Sequence, residues 1–140
     1  MAINTGRVIG GGLVAGLVMN VVDFVTNTYW LGSAFAENAV ARNMDPKAME
    51  SASGIATFVV VDFLFGLLCV WTYAAMRPRF GPGPKTAIFA ALPSYLGVTL
   101  IMYAMSGIGL FPVTLWMNAT IAAALSAFPG SVVGCWLYQE

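Results

Sequence analysis

The chain has no histidine and very little charge. Without imidazole there is no His general base. The absence also argues against most zinc, haem and di-iron centres, and against a pigment held through imidazole. Charged residues make up 9% of the sequence, whereas a soluble domain carries about 25%. The polar surface needed to keep a chain of this size in water is missing. Net charge is zero, so neither a nucleic-acid partner nor a basic membrane-surface arm is expected. There are two cysteines, Cys69 and Cys135, and both fall in apolar stretches. They read as small packing residues rather than a structural disulfide. Gly10-Gly11-Gly12 is not followed by the Gly-Lys-Ser/Thr of a phosphate loop. No metal-ligand cluster or nucleophile–base pair is visible, so the sequence points to no cofactor and no enzyme activity.

What the chain has is apolar length. Hydrophobic residues make up 59% of it, and its mean hydropathy is +0.82. A membrane span needs about 20 mostly apolar residues. Four stretches qualify, at about residues 7–31, 53–76, 86–106 and 112–138, with a polar outer segment at 32–52. The expected fold is all-α: one transmembrane domain over residues 1–140, an antiparallel up-down four-helix bundle. Arg7, Arg77, Arg79 and Lys85 fall on one side, with Arg42 and Lys47 on the other. By the positive-inside rule both termini are then cytoplasmic. Tyr29, Trp30, Tyr103 and Trp116 at one interface, and Trp71, Tyr73, Trp136 and Tyr138 at the other, fit aromatic belts. The first apolar stretch is longer than the 7–15 residues of a signal-peptide core, so Ala34-Phe35-Ala36 is not expected to be a cleavage site.

The connections carry local signals. Asp45-Pro46 is a suitable helix start, and residues 33–44 have a weakly amphipathic pattern that fits a short interfacial helix. The run from Arg77 to Lys85 contains Pro78, Gly81, Pro82, Gly83 and Pro84 and is expected to leave the helical state. Gly107-Ile-Gly109 makes a short link before Pro112. Pro93 and Pro129 should bend their helices.

Two carboxylates break the apolar pattern. Asp23 and Asp62 both occur in a Val-Val-Asp-Phe tetrapeptide, a recurrence that valine-rich helices produce by chance. An ionised carboxylate at mid-bilayer costs roughly 2.5–3.5 kcal/mol on insertion scales, so it needs a partner or a function. Asp23 lies 16 residues after Arg7 and Asp62 lies 15 residues before Arg77. At about 1.5 Å per residue, antiparallel helices place both roughly 22–24 Å from those arginines. Gly12, Gly16, Asn20, Asp23 and Asn27 share one stripe of the first helix. Gly66 follows Asp62 by one turn, and Asn118, Ser126, Gly130 and Gly134 lie on the fourth span. The expected polar site is Asp23, Asp62, Asn20, Asn27 and Asn118, closed by Ser94 or Tyr95. The expected close-packing residues are Gly12, Gly16, Gly66, Gly130 and Gly134. A carboxyl pair at close range titrates as a coupled unit. It can relay protons or bind a cation, or it can act as interhelical glue.

The successions Met19-Asn-Val-Val-Asp-Phe24, Val60-Val-Asp-Phe-Leu-Phe-Gly66 and Tyr73-Ala-Ala-Met-Arg-Pro-Arg-Phe-Gly-Pro-Gly-Pro-Lys-Thr-Ala87, with the terminal Trp136-Leu-Tyr138, resemble a group of small four-helix bacterial inner-membrane proteins. The group has no assigned activity. The resemblance implies a multi-pass protein of the bacterial cytoplasmic membrane and carries no substrate or cofactor. Small multidrug transporters are not matched, because their glutamate early in the first helix has no counterpart. The functional expectation is a structural or accessory subunit, packing against a larger membrane complex or against itself within the lipid bilayer. The alternative is a small oligomeric proton- or cation-coupled transporter or channel using the aspartate pair.

Overall fold

The computed structural model describes residues 3–138. It is helical, and no strand occurs among the described residues. Helix α1 spans Thr5–Thr26, followed by a π-helical turn Asn27–Leu31 and helix α2, Gly32–Val40. A 3₁₀ turn, Ala48–Glu50, precedes α3 (Ala52–Phe80), α4 (Pro84–Gly107) and α5 (Val113–Trp136). The segment Thr5–Val40 and the three long helices after it are each long and apolar enough to cross a membrane.

The helix ends follow from capping chemistry. Asn4 caps α1 by accepting from the Arg7 N–H at 3.1 Å, and Ser51 caps α3 by accepting from the Gly54 N–H at 3.1 Å. Asp45 accepts from the Lys47 N–H at 2.9 Å, but it holds only a local turn. The helix start read at Asp45-Pro46 therefore belongs to Ser51 instead. The α3–α4 connection is also shorter than its prolines imply. Helix α3 continues through Pro78 to Phe80, and only Gly81–Gly83 lie outside helix. Pro78 lies inside α3, where it removes the N–H that would reach the Ala74 carbonyl without ending the helix. Pro84 begins α4, where no N–H is required. Gly81 and Gly83 adopt φ values of 77° and 133°, which a side-chain-bearing residue would resist. Pro93 and Pro129 sit inside continuous helices.

The Thr5–Val40 segment does not break where an interfacial helix was expected to start. It passes through the π turn instead. The Thr26 hydroxyl and the Asn27 amide both donate to the Asp23 carbonyl, at 3.2 and 2.9 Å. They join the Asn27 backbone N–H, which also donates to the Asp23 carbonyl. The sequence places Thr and Asn where the helix widens.

Helix α1 is the centre of the bundle. Its contacts with α3 and α5 are the most extensive, and α4 closes the ring by packing on α5 and α3. The glycines explain how close these helices lie. A Cβ built on Gly66 would stand 2.4 Å from the Gly12 carbonyl oxygen and 2.5 Å from the Gly16 nitrogen. On the other side of α1, a Cβ on Gly134 would meet the Gly11 carbonyl oxygen and the Ala15 Cβ, each at 2.5 Å. Helix α1 therefore uses adjacent faces, Gly12 and Gly16 toward α3 and Gly11 and Ala15 toward α5. All five expected packing glycines lie at these two interfaces, and Gly11 joins them. The order of contacts along each pair makes neighbouring helices antiparallel. Gly12 meets Leu67 and Gly16 meets Phe63, while Gly11 meets Gly134 and Met19 meets Gly130.

The result is a core of small residues. Ala15, Ala74, Ala87, Ala90, Ala91, Cys69 and Cys135 are buried, whereas Phe24, Leu64, Leu100, Ile101 and Leu125 are exposed. Two large buried tyrosines gather at one end, called here the turn end, where the α3–α4 turn meets the start of α1 and the end of α5. Tyr138 is buried, accepts from the Asn4 N–H at 3.3 Å, and packs edge-on to Tyr73 at 6.1 Å. Both tyrosines were expected in an aromatic belt, and both are core residues instead. At the opposite end the Arg42 guanidinium donates to the Gly109 carbonyl, tying the loop after α2 to the α4–α5 connection.

Replacing Gly66 by Ala forces α1 and α3 apart and is expected to destabilise the fold by about 1–3 kcal/mol. Gly97 has open space around its Cα, so Gly97→Ala is expected to be neutral or to add up to about 1 kcal/mol. Thermal unfolding of both variants in one detergent checks the contrast. Equal effects would contradict the close approach.

Candidate functional site

The three helices that glycine packing brings together each contribute one polar side chain near a single point. Asp23 comes from α1, Asp62 from α3 and Ser126 from α5. The Asp23 side chain lies within electrostatic reach of both the Ser126 hydroxyl and the Asp62 carboxyl. Both aspartates are half-buried. Ser126 is 4% exposed, and its hydroxyl also donates to the Met19 carbonyl at 3.4 Å.

The two aspartate backbones are not at matched height. The Asn20 amide reaches across to the Val59 carbonyl at 3.3 Å, and the Asp62 carbonyl lies beside Gly16. Asp62 is thus opposite a part of α1 more than one turn before Asp23. The side chains meet because a helical side chain leans toward the N-terminus of its own helix. In antiparallel helices, the Asp23 and Asp62 side chains therefore lean toward each other. Depth counted from sequence placed both aspartates in one zone. Side-chain direction supplies the contact.

The asparagines expected at the site take other roles. Asn20 donates to the Gly16 carbonyl at 2.9 Å as well as to Val59, so it staples α1 to α3 through backbone. Asn27 donates to the Asp23 carbonyl and shapes the π turn, not the carboxyl pair. Asn118 is half-buried on α5 and is not among the groups acting on either carboxyl. Tyr95 donates to the Thr120 carbonyl at 3.3 Å and packs on Phe128, which ties α4 to α5 away from the pair. Ser126 was placed on the fourth span but left out of the expected polar site. The signal for it was present: Ser126, Gly130 and Gly134 are spaced by four residues. The glycines that dock α5 on α1 thereby also aim Ser126 at α1.

On the turn-end side of the pair, Met19, Cys69 and Ala91 form an apolar layer flanked by Phe65 and Phe128. Beyond it, Ser131 donates to the Ala87 carbonyl at 2.8 Å and lies 3.6 Å from the Cys135 sulfur. Cys69 and Cys135 are both free and buried. Among the described residues there is no group of three or more His, Cys, Asp or Glu side chains that could hold a metal ion. On the opposite side packing is loose. None of residues 52–65 of α3 is buried.

Comparison of the chain with models of known protein families, with characterised proteins and with solved structures returns no match. The residues themselves carry any functional assignment.

A double-mutant cycle on Asp23→Asn and Asp62→Asn tests the contact. Groups in one hydrogen-bonded network couple by about 0.5–3 kcal/mol, whereas distant sites add independently. Coupling within that range is expected in detergent unfolding. Simple additivity would show that the carboxyls do not touch.

Proposed function

We propose that this chain is a multi-pass membrane protein of the bacterial cytoplasmic membrane, with both termini inside, that acts as a structural or accessory subunit. It assembles with a larger membrane complex or with further copies of itself and performs no catalytic step. The observation that supports assembly is the bare half of α3. Residues 52–65 are apolar apart from Ser53, Thr57 and Asp62, with Gly54 between them, and not one is buried. Helices α4 and α5 have buried residues in both halves, and α1 has them from Val8 to Met19. A bundle helix resting only against lipid on its outer side still buries one face against its neighbours. In this reading the Asp23–Asp62–Ser126 cluster locks α1, α3 and α5 together, as polar side chains do between membrane helices.

After extraction in mild detergent the protein is expected to migrate as an assembly larger than one 14.8 kDa chain. Val60→Lys, on the bare part of α3, should dissociate that assembly without unfolding the bundle. A monodisperse wild-type monomer would overturn the proposal.

The carboxyl contact favours a second reading, a small proton- or cation-coupled transporter or channel. Two half-buried carboxyls that act on each other at close range favour sharing a proton or a cation between them. Proteoliposomes should then show proton- or ion-dependent flux that disappears in Asp23→Asn or Asp62→Asn. Flux unchanged in both variants excludes it.

A further inference from the structure

At the end opposite the turn end, two connections close the bundle. Residues 32–51 lead from the π turn to α3, and residues 108–112 join α4 to α5. The helices pack in the ring order α1, α3, α4, α5, so these connections lie on opposite sides of the ring. The Arg42 guanidinium crosses between them. It donates to the side-chain and backbone carbonyls of Asn38 and to the Gly109 carbonyl. Little else fastens the first connection. No residue of α2 is buried, and its main packing partner is the π turn before it. After Leu31, which is 4% exposed, the next buried residue is Gly66. Beneath this connection the half-buried side chains include Asn27 on the π turn, Asn118 on α5, and then Asp23 and Asp62. On the other side of the carboxyls the layer of Met19, Cys69 and Ala91 closes the interior with apolar side chains. The polar interior is therefore approached from the end that Arg42 spans.

We propose that residues 32–51 form a strap across this end of the bundle, latched by Arg42 on the Gly109 carbonyl, and that release of the latch opens the approach to Asp23 and Asp62. A guanidinium suits a latch because its rigid fork of donors reaches two acceptors at once. Here they are Asn38 near the end of α2 and Gly109 across the ring. A segment with few buried apolar contacts opens locally at a lower free energy than the whole fold. Hinges are a few residues at element ends, and the π turn Asn27–Leu31, held by buried Leu31, is where the strap pivots. The latch controls access whether the carboxyls lock the helices together or carry a proton.

The test uses the full chain in mild detergent. Amide hydrogen exchange read by mass spectrometry follows the strap. Arg42→Gln should speed exchange of α2 and of residues 108–112 by about tenfold, the effect of losing a hydrogen bond to a charged group. Exchange in α1, in α5 and in α3 beyond Gly66 should keep its wild-type rate. Access is read separately, by labelling Asn118→Cys with a charged thiol reagent. Adding Arg42→Gln should speed that labelling by about tenfold, while buried Cys69 and Cys135 stay unlabelled. Asn38→Ala removes one acceptor of the fork and should speed labelling by a smaller factor. Lys47→Gln, in the same connection and outside the latch, should leave it within about twofold. Labelling unchanged in Arg42→Gln, or changed equally in Arg42→Gln and Lys47→Gln, overturns the proposal. A rise in exchange over every helix, with Cys69 and Cys135 labelled too, makes Arg42 a residue of the fold and likewise overturns it.

Discussion

Backbone-to-backbone approach at two faces of α1 governs this molecule. The carbonyl of Gly12 and the nitrogen of Gly16 lie where a Cβ on Gly66 would stand, and the carbonyl of Gly11 lies where a Cβ on Gly134 would stand. Helices that approach this closely gain dispersion contacts along their backbones, each worth only about 0.1–0.2 kcal/mol but numerous. They leave little volume for large side chains, so the core fills with alanine, serine and cysteine. Leucine, isoleucine and phenylalanine are displaced to the outside. The inside-out distribution of size follows from the glycines. The polar cluster does too, because the same spacing of four that sets Gly130 and Gly134 against α1 sets Ser126 beside Asp23.

The sequence made the four long helices legible because apolar length is a coarse signal that survives boundary errors. The packing glycines were equally legible, since spacing by four marks one helical face. What escaped were features decided by a single side chain acting on the backbone. Pro78 reads as a helix breaker, yet α3 runs on past it to Phe80. Asp45 reads as a helix cap, yet Ser51 takes that role. Tyr73 and Tyr138 read as interfacial aromatics, yet their rings pack edge-on to each other and their hydroxyls accept from Gly83 and Asn4. Aromatic placement near a helix end is ambiguous, because residue type alone does not say which face the ring leaves from.

The polar site illustrates both outcomes. Counting residues from the flanking arginines put Asp23 and Asp62 in one zone, which was sufficient to pair them. The asparagines were drawn into the site because they share a stripe with Asp23. A shared stripe fixes direction from the helix axis and says nothing about hydrogen-bond partners. Asn20 and Asn27 found backbone carbonyls nearer than any carboxyl. Carbonyls are present at every turn, so an amide inside a bundle meets one before it meets a particular side chain.

The clasp between Asn4 and Tyr138 has a consequence for the order of assembly. Tyr138 accepts its hydrogen bond from Asn4 across 134 residues of sequence, and Ser126 reaches Met19 across 107. Helix α1 is synthesised before α5, yet α5 supplies the cover for one of its two glycine faces. Until α5 arrives, Gly11, Ala15 and the Asp23 side chain have only α3 beside them. During synthesis the chain therefore carries an unfilled groove of small residues with a carboxyl at its rim, and any other helix with the same small-residue spacing could occupy it.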